Sequence, residues 1–195
     1  LSDSAFDLDG DGLRAIVLGA PSDAGGPVYL FESGSFHGAP GDWLASDADT
    51  ILEGSSGQLG ISLAAGDFSD DTDDDTDGDA DLIIGDPLAN SGGGEVYMIR
   101  NTGSTIPDGR ADVVAATTVV GSAGTNLGVA VAAGDTWVEG SEVQEELIVG
   151  ASRAVTRAGQ VFVYPGDLVD SSTGSGGTLT SSSSVVQYTG SAIDG

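Results

Sequence analysis

One six-residue pattern recurs three times along this chain. Ile16-Val17-Leu18-Gly19-Ala20-Pro21, Leu82-Ile83-Ile84-Gly85-Asp86-Pro87 and Leu147-Ile148-Val149-Gly150-Ala151-Ser152 align, with their glycines 66 and then 65 residues apart. A fixed period of that length marks repeated supersecondary units that bury their apolar faces against one another. Each copy is followed by a polar turn and a second apolar run: Val28-Tyr29-Leu30-Phe31, Val96-Tyr97-Met98-Ile99 and Val161-Phe162-Val163-Tyr164. Upstream, Leu59-Gly60-Ile61-Ser62-Leu63-Ala64-Ala65-Gly66-Asp67 matches Leu127-Gly128-Val129-Ala130-Val131-Ala132-Ala133-Gly134-Asp135. Three units thus fill the 195 residues, over 1–58, 59–126 and 127–195. The ends are in phase: Gly195 stands at the place of Gly60 and Gly128, and Leu1-Ser2 at that of Ile61-Ser62. With Leu rather than Met first, the chain is expected to be processed or excised from something longer.

Each unit reads as four short β runs. In unit two these are 61–65, 82–84, 96–99 and 115–120, β-branched or aromatic and bounded by Gly, Asp, Ser and Pro. No window carries an 11-residue helical period. The expected fold is therefore all-β: three four-stranded antiparallel blades of a β-propeller. A sandwich predicts no such period, and a solenoid has shorter coils. Ala64, Ala65, Ala132 and Ala133 suit crowded inner strands. Closed propellers have about four to eight blades. Three make a partial ring, whose missing blades come from a larger chain or another copy.

Charge narrows the partners. Thirty-one acidic residues face five basic ones, a formal charge of −26. Such a surface repels phosphate backbones and anionic lipid, so nucleic acid is excluded. No apolar run approaches the ~18 residues of a membrane span, and no charged n-region precedes an apolar signal segment. The absence of Cys excludes a thiolate metal site and a Cys nucleophile.

The acids are concentrated in loops. Asp73-Asp74-Asp75-Thr76-Asp77-Gly78-Asp79-Ala80-Asp81 has the form D-x-D-x-D-G-x-x-D. Asp73, Asp75 and Asp77 aim carboxylates at one centre, Gly78 permits the sharp turn, Asp79 offers its carbonyl and Asp81 closes the shell. Six or seven oxygens in a tight loop suit Ca²⁺ better than Mg²⁺, which demands a stricter octahedron. Two carboxylates ~5 Å apart repel by about 0.8 kcal/mol even in water, so an empty ordered loop would be costly. Unit one repeats the pattern with Asp7, Asp9, Asp11 and the Leu13 carbonyl, but Ala15 replaces the closing acid beside Arg14. A weaker or water-completed second site is expected there. In unit three, 138–146 has lost the oxygen spacing and the glycine.

These residues resemble the FG-GAP repeats of the integrin α-subunit β-propeller, over nearly the whole chain. Leu59-Gly60 and Leu127-Gly128 stand where that family has Phe-Gly. Gly19-Ala20-Pro21, Gly85-Asp86-Pro87 and Gly150-Ala151-Ser152 stand where it has Gly-Ala-Pro. The Asp loop between them matches the family's calcium loop, between the first two strands of a blade. The resemblance implies a seven-bladed parent, an extracellular or cell-surface location, and adhesion to a protein or glycan ligand, with Ca²⁺ stiffening the ring and no catalysis. The acidity and lack of Lys look like a bacterial or archaeal relative from a saline habitat. Two other readings are weighed: a structural repeat of a surface layer or filament, and a carboxylate-based hydrolase or lyase on a propeller.

Other features carry less. His37, the only histidine, sits in a loop-like stretch without a nucleophile elbow. Trp137 lies in the long loop of unit three. Gly92-Gly93-Gly94 reads as a turn between strands, since no helix follows. Gly109-Arg110-Ala111-Asp112 is not the Arg-Gly-Asp adhesion tripeptide. The Ser/Thr/Gly-rich tail, 171–184, reads as a flexible loop between the last two strands.

Overall fold

The apolar runs become strands, because β-branched and aromatic side chains pack well on a pleated surface. The computed structural model describes residues 6–8, 13–21, 26–36, 43–54, 57–68, 80–101, 106–136, 145–170, 177–184 and 186–191. Unit one supplies β1 (Ile16–Gly19), β2 (Val28–Phe31) and β3 (Thr50–Glu53). Unit two supplies β4 (Ser62–Gly66), β5 (Asp81–Asp86), β6 (Glu95–Ile99), β7 (Gly109–Arg110) and β8 (Thr117–Val120). Unit three supplies β9 (Leu127–Gly134), β10 (Glu146–Ala151), β11 (Gln160–Tyr164), β12 (Gly177–Thr180) and β13 (Val186–Thr189). The all-β expectation holds: these strands make three sheets, ordered β1-β2-β3-β7, β12-β8-β6-β5-β4 and β13-β11-β10-β9. The first apolar run of unit one, at residues 1–5, lies outside the described residues.

The second sheet has two buried faces. Side chains alternate along a strand, so β5 sends Leu82 and Ile84 one way and Ile83 the other. Leu82, Ile84, Tyr97 and Ile99 join Val28, Leu30 and Leu52 of the first sheet in one core cluster. Ile83, Val96, Met98 and Val119 join Leu147, Val149, Phe162 and Tyr164 of the third in another. All six residues of β5 are buried, and its centre, Leu82-Ile83-Ile84, is accordingly a continuous apolar run rather than an alternation.

Two glycines bring successive units into backbone contact. Gly60 and Gly128 hold φ of +81° and +87°, a left-handed conformation that costs other residues roughly 1–2 kcal/mol. That geometry turns the Gly60 carbonyl onto Gly19 and the Gly128 carbonyl onto Gly85, so closely that a Cβ on either partner would overlap it. The neighbouring Leu59 and Leu127 are buried, one in each core cluster.

Not every pairing in these sheets is antiparallel, in contrast to the expectation from sequence. β7 pairs parallel to β3, and β12 parallel to β8. Both come from the loop preceding a unit's last strand, and both lie on the outer edge of the preceding unit's sheet. Buried Thr50 and Thr117, at the start of β3 and β8, donate hydroxyls to the carbonyls of Ile106 (2.6 Å) and Val169 (2.8 Å) in the next unit. Residues 177–180, expected to be part of a flexible loop, are thus an ordered strap. Leu179 is buried in the core and Gly177 N–H donates to the Ala116 carbonyl at 3.1 Å. His37 and Trp137 lie outside the described residues.

Candidate metal centre

Of the expected ligands, Asp81, Asp7 and Leu13 are described, whereas Asp73, Asp75, Asp77, Asp79, Asp9 and Asp11 lie outside the described residues. Asp81 opens β5 and is fully buried. One carboxylate oxygen accepts the Asn101 N–H at 2.8 Å and the other the Phe68 N–H at 3.3 Å. Burial pushes this carboxyl up to about 7, against the pull of those two bonds and of the Arg100 charge.

The exit of the unit-two Asp loop lies beside the entrance of the unit-one loop. Ala80 N–H donates to the Asp7 carbonyl at 3.1 Å, and the Asn101 side-chain amide to the Leu8 carbonyl at 2.5 Å. Asp7 and Leu8 are buried, while the Leu13 side chain is about half exposed at 48%. Ala15 N–H donates to the Phe6 carbonyl at 2.8 Å and closes the base of the unit-one loop.

The same joint recurs one unit on, where Glu145 N–H donates to the Asp67 carbonyl at 3.0 Å. Phe68 is buried in the second core cluster as Leu8 is in the first. The fold therefore gives Asp67 in unit two the place that Asp7 holds in unit one. The sequence match of Asp7 with Asp73 skips six residues inserted between them. In unit three, Glu146 takes the place of Asp81: it is buried and accepts the Thr136 N–H (2.6 Å) and hydroxyl (2.8 Å) through one oxygen. Glu145 beside it is raised by burial, and then by the charges of Asp67, Asp135 and Glu146. Among the described residues, no group of three or more carboxylates or imidazoles is arranged to hold a metal ion.

A second acidic feature sits at the far end of β5. Asp86 replaces the alanine found at this place in the other units. One oxygen accepts the N–H groups of Gln58 (2.7 Å) and Ala89 (3.1 Å), pinning the connection between units one and two to the β5–β6 turn. Its other oxygen is buried without a hydrogen-bond partner, and burial raises its pKa. On the same face, Tyr97 donates its hydroxyl to Glu95 at 2.5 Å. The sequence hid this role, because Gly85-Asp86-Pro87 reads as a mere variant of Gly-Ala-Pro.

A groove of about 570 Å³ on the outer face of the first sheet is apolar, lined by Ile16, Leu18, Tyr29, Phe31, Trp43 and Leu44 among others. No helix among the described residues is long and apolar enough to cross a membrane. No protein-family model and no curated protein matches the chain.

Proposed function

We propose that this chain is a calcium-binding, non-catalytic propeller segment of the integrin-α FG-GAP type, working outside the cell in adhesion or in binding a protein or glycan. Asp81 is the observation that carries the reading. It is a desolvated carboxylate at the exit of a loop with acids at every other position. Each Asp81 oxygen accepts one hydrogen bond and keeps a lone pair, and the loop offers only the hard oxygen donors that Ca²⁺ takes. Asp73, Asp75, Asp77, the Asp79 carbonyl and Asp81 would hold the ion. Asp7, Asp9, Asp11 and the Leu13 carbonyl would hold a second, weaker one. Bound Ca²⁺ would supply the positive charge that lets these carboxylates stay ionised and close together. The glycine contacts between successive units and the apolar character of the groove favour a packing module over a carboxylate-based enzyme.

Calorimetric titration of chelator-treated protein with CaCl₂ tests this. Ligand at a hundred times Kd adds about 2.7 kcal/mol, which for a chain of this size raises the thermal midpoint by roughly 5–10 °C. An unchanged midpoint and no binding heat would overturn the reading.

A further inference from the structure

Asn101 works in two directions at the seam between units one and two. Its backbone N–H donates to an Asp81 oxygen at 2.8 Å, and its side-chain amide nitrogen donates to the Leu8 carbonyl. The residue is buried, at 5% exposure, and its side-chain oxygen meets no donor among the described residues. Turning the amide over would not cure this, because the oxygen would then face the Leu8 carbonyl, acceptor against acceptor. The amide is thus held with its nitrogen towards unit one and a bare oxygen on its other side, in the residue whose backbone already grips Asp81. A buried acceptor left bare is costly, and a hard cation is a group that satisfies it.

The repeats carry an independent sign. In the three hairpins Ile16 lies across from Phe31, Leu82 from Ile99 and Leu147 from Tyr164. Two residues further on, that register puts Ser33, Asn101 and Gly166 at one place in the fold. Ser33 and Asn101 are buried polar residues, and both belong to units whose Asp loops keep acids at every other position. Gly166 belongs to the unit whose loop has lost that spacing, and it brings no side chain. The acid at the head of the second strand changes in step. Asp81 is held by the N–H of Asn101, whereas Glu146 is held by the N–H and hydroxyl of Thr136. A side-chain oxygen at this place therefore goes with the acidic loop rather than with the blade.

We infer that Asn101 belongs to the unit-two ion site, its side-chain oxygen entering the shell of the cation beside Asp81. The inference rests on the calcium reading above and adds to it a neutral oxygen from outside the loop. Calcium takes amide carbonyl oxygens alongside carboxylates and fills about six to eight places. An ion that holds this oxygen also holds the plane of the amide, and with it the bond to Leu8 in unit one.

Terbium(III), a calcium surrogate, tests this when added in substoichiometric amount to the chelator-treated chain, because its luminescence lifetimes in H₂O and D₂O count the waters on the bound ion. Asn101→Ala should put about one more water on the ion, in the place the amide leaves. It should also weaken CaCl₂ binding in calorimetry by about ten- to a hundredfold. Asn101→Asp keeps an oxygen and loses the donor to Leu8. It should bind CaCl₂ at least as tightly as the native chain and add no water, while its ion-free thermal midpoint falls with that of Asn101→Ala. Binding is compared well below those midpoints. An alanine variant with native affinity and native water count would overturn the inference and leave the calcium reading standing. So would an aspartate variant as weak as the alanine one, the outcome if Asn101 serves only to tie down Leu8. A native chain that binds neither ion removes the calcium reading and this inference together.

Discussion

The carbonyl oxygen of Gly128 occupies the space that a side chain on Gly85 would need. A methyl group there would overlap that backbone carbonyl and the Ser62 hydroxyl that donates to it. Gly85→Ala should therefore destabilise the fold by about 1–3 kcal/mol, the usual range for overpacking. Gly150, at the same repeat position, meets only Ala130 of its own sheet among the described residues, at 3.5 Å. Gly150→Ala should be milder, and denaturant unfolding of the two variants compares them directly.

Tyr164 is fully buried between the second and third sheets, and its hydroxyl has no hydrogen-bond partner. Leaving a buried hydroxyl unsatisfied costs about 1–3 kcal/mol. Tyr164→Phe should raise the thermal midpoint. Tyr97→Phe should lower it, because that hydroxyl donates to Glu95. A shift of the same sign in both variants would contradict the assignment.

Asp86 binds its proton more tightly in the folded chain than in the unfolded one, since burial raises its pKa. Its contribution to stability is therefore present at acid pH and lost as pH climbs from the ordinary carboxylate range through the raised value. Asp86→Asn keeps an acceptor for Gln58 and Ala89 but cannot ionise. The midpoint of the variant relative to the native chain should rise with pH from 4 upwards, and a pH-independent difference would argue against it.

The straps predict a local effect. Thr117→Val keeps the side-chain shape and removes the hydroxyl bond to the Val169 carbonyl, at a cost of about 1 kcal/mol. Amide hydrogen exchange should accelerate over 177–180 before it does so in β10. Thr50→Val should do the same for 109–110, through the lost bond to Ile106.

The strands were legible because their burial is encoded locally. A short β-branched run such as Leu82-Ile83-Ile84, closed off by Gly85 and Pro87, fits a strand covered on both faces better than a helix segment. The spacing of the Leu-Gly and Gly-Ala-Pro signatures also announced the repeat, and the fold gives that spacing its reason in the contacts of Gly19 with Gly60 and Gly85 with Gly128. The straps were not legible. Gly109-Arg110 carries no apolar pattern, and 177–180 shows only Leu179 among Gly and Thr. Their pairing is decided by edges that belong to another unit. The role of Asp67 was hidden in the same way. The backbone bond from Glu145 to Asp67 reveals it, whereas in the sequence the regular spacing of the acids points to Asp73.

The boundaries of the repeat in sequence are not the seams of the object it builds. Because each later unit leaves a ribbon lying on its predecessor, trimming the chain after residue 126 would do more than delete a module. It would strip the rim from the sheet left behind and bare an edge ready to pair with whatever ribbon it met. Gene-level shuffling of such units is viable only where the piece removed and the piece that replaces it carry interchangeable straps.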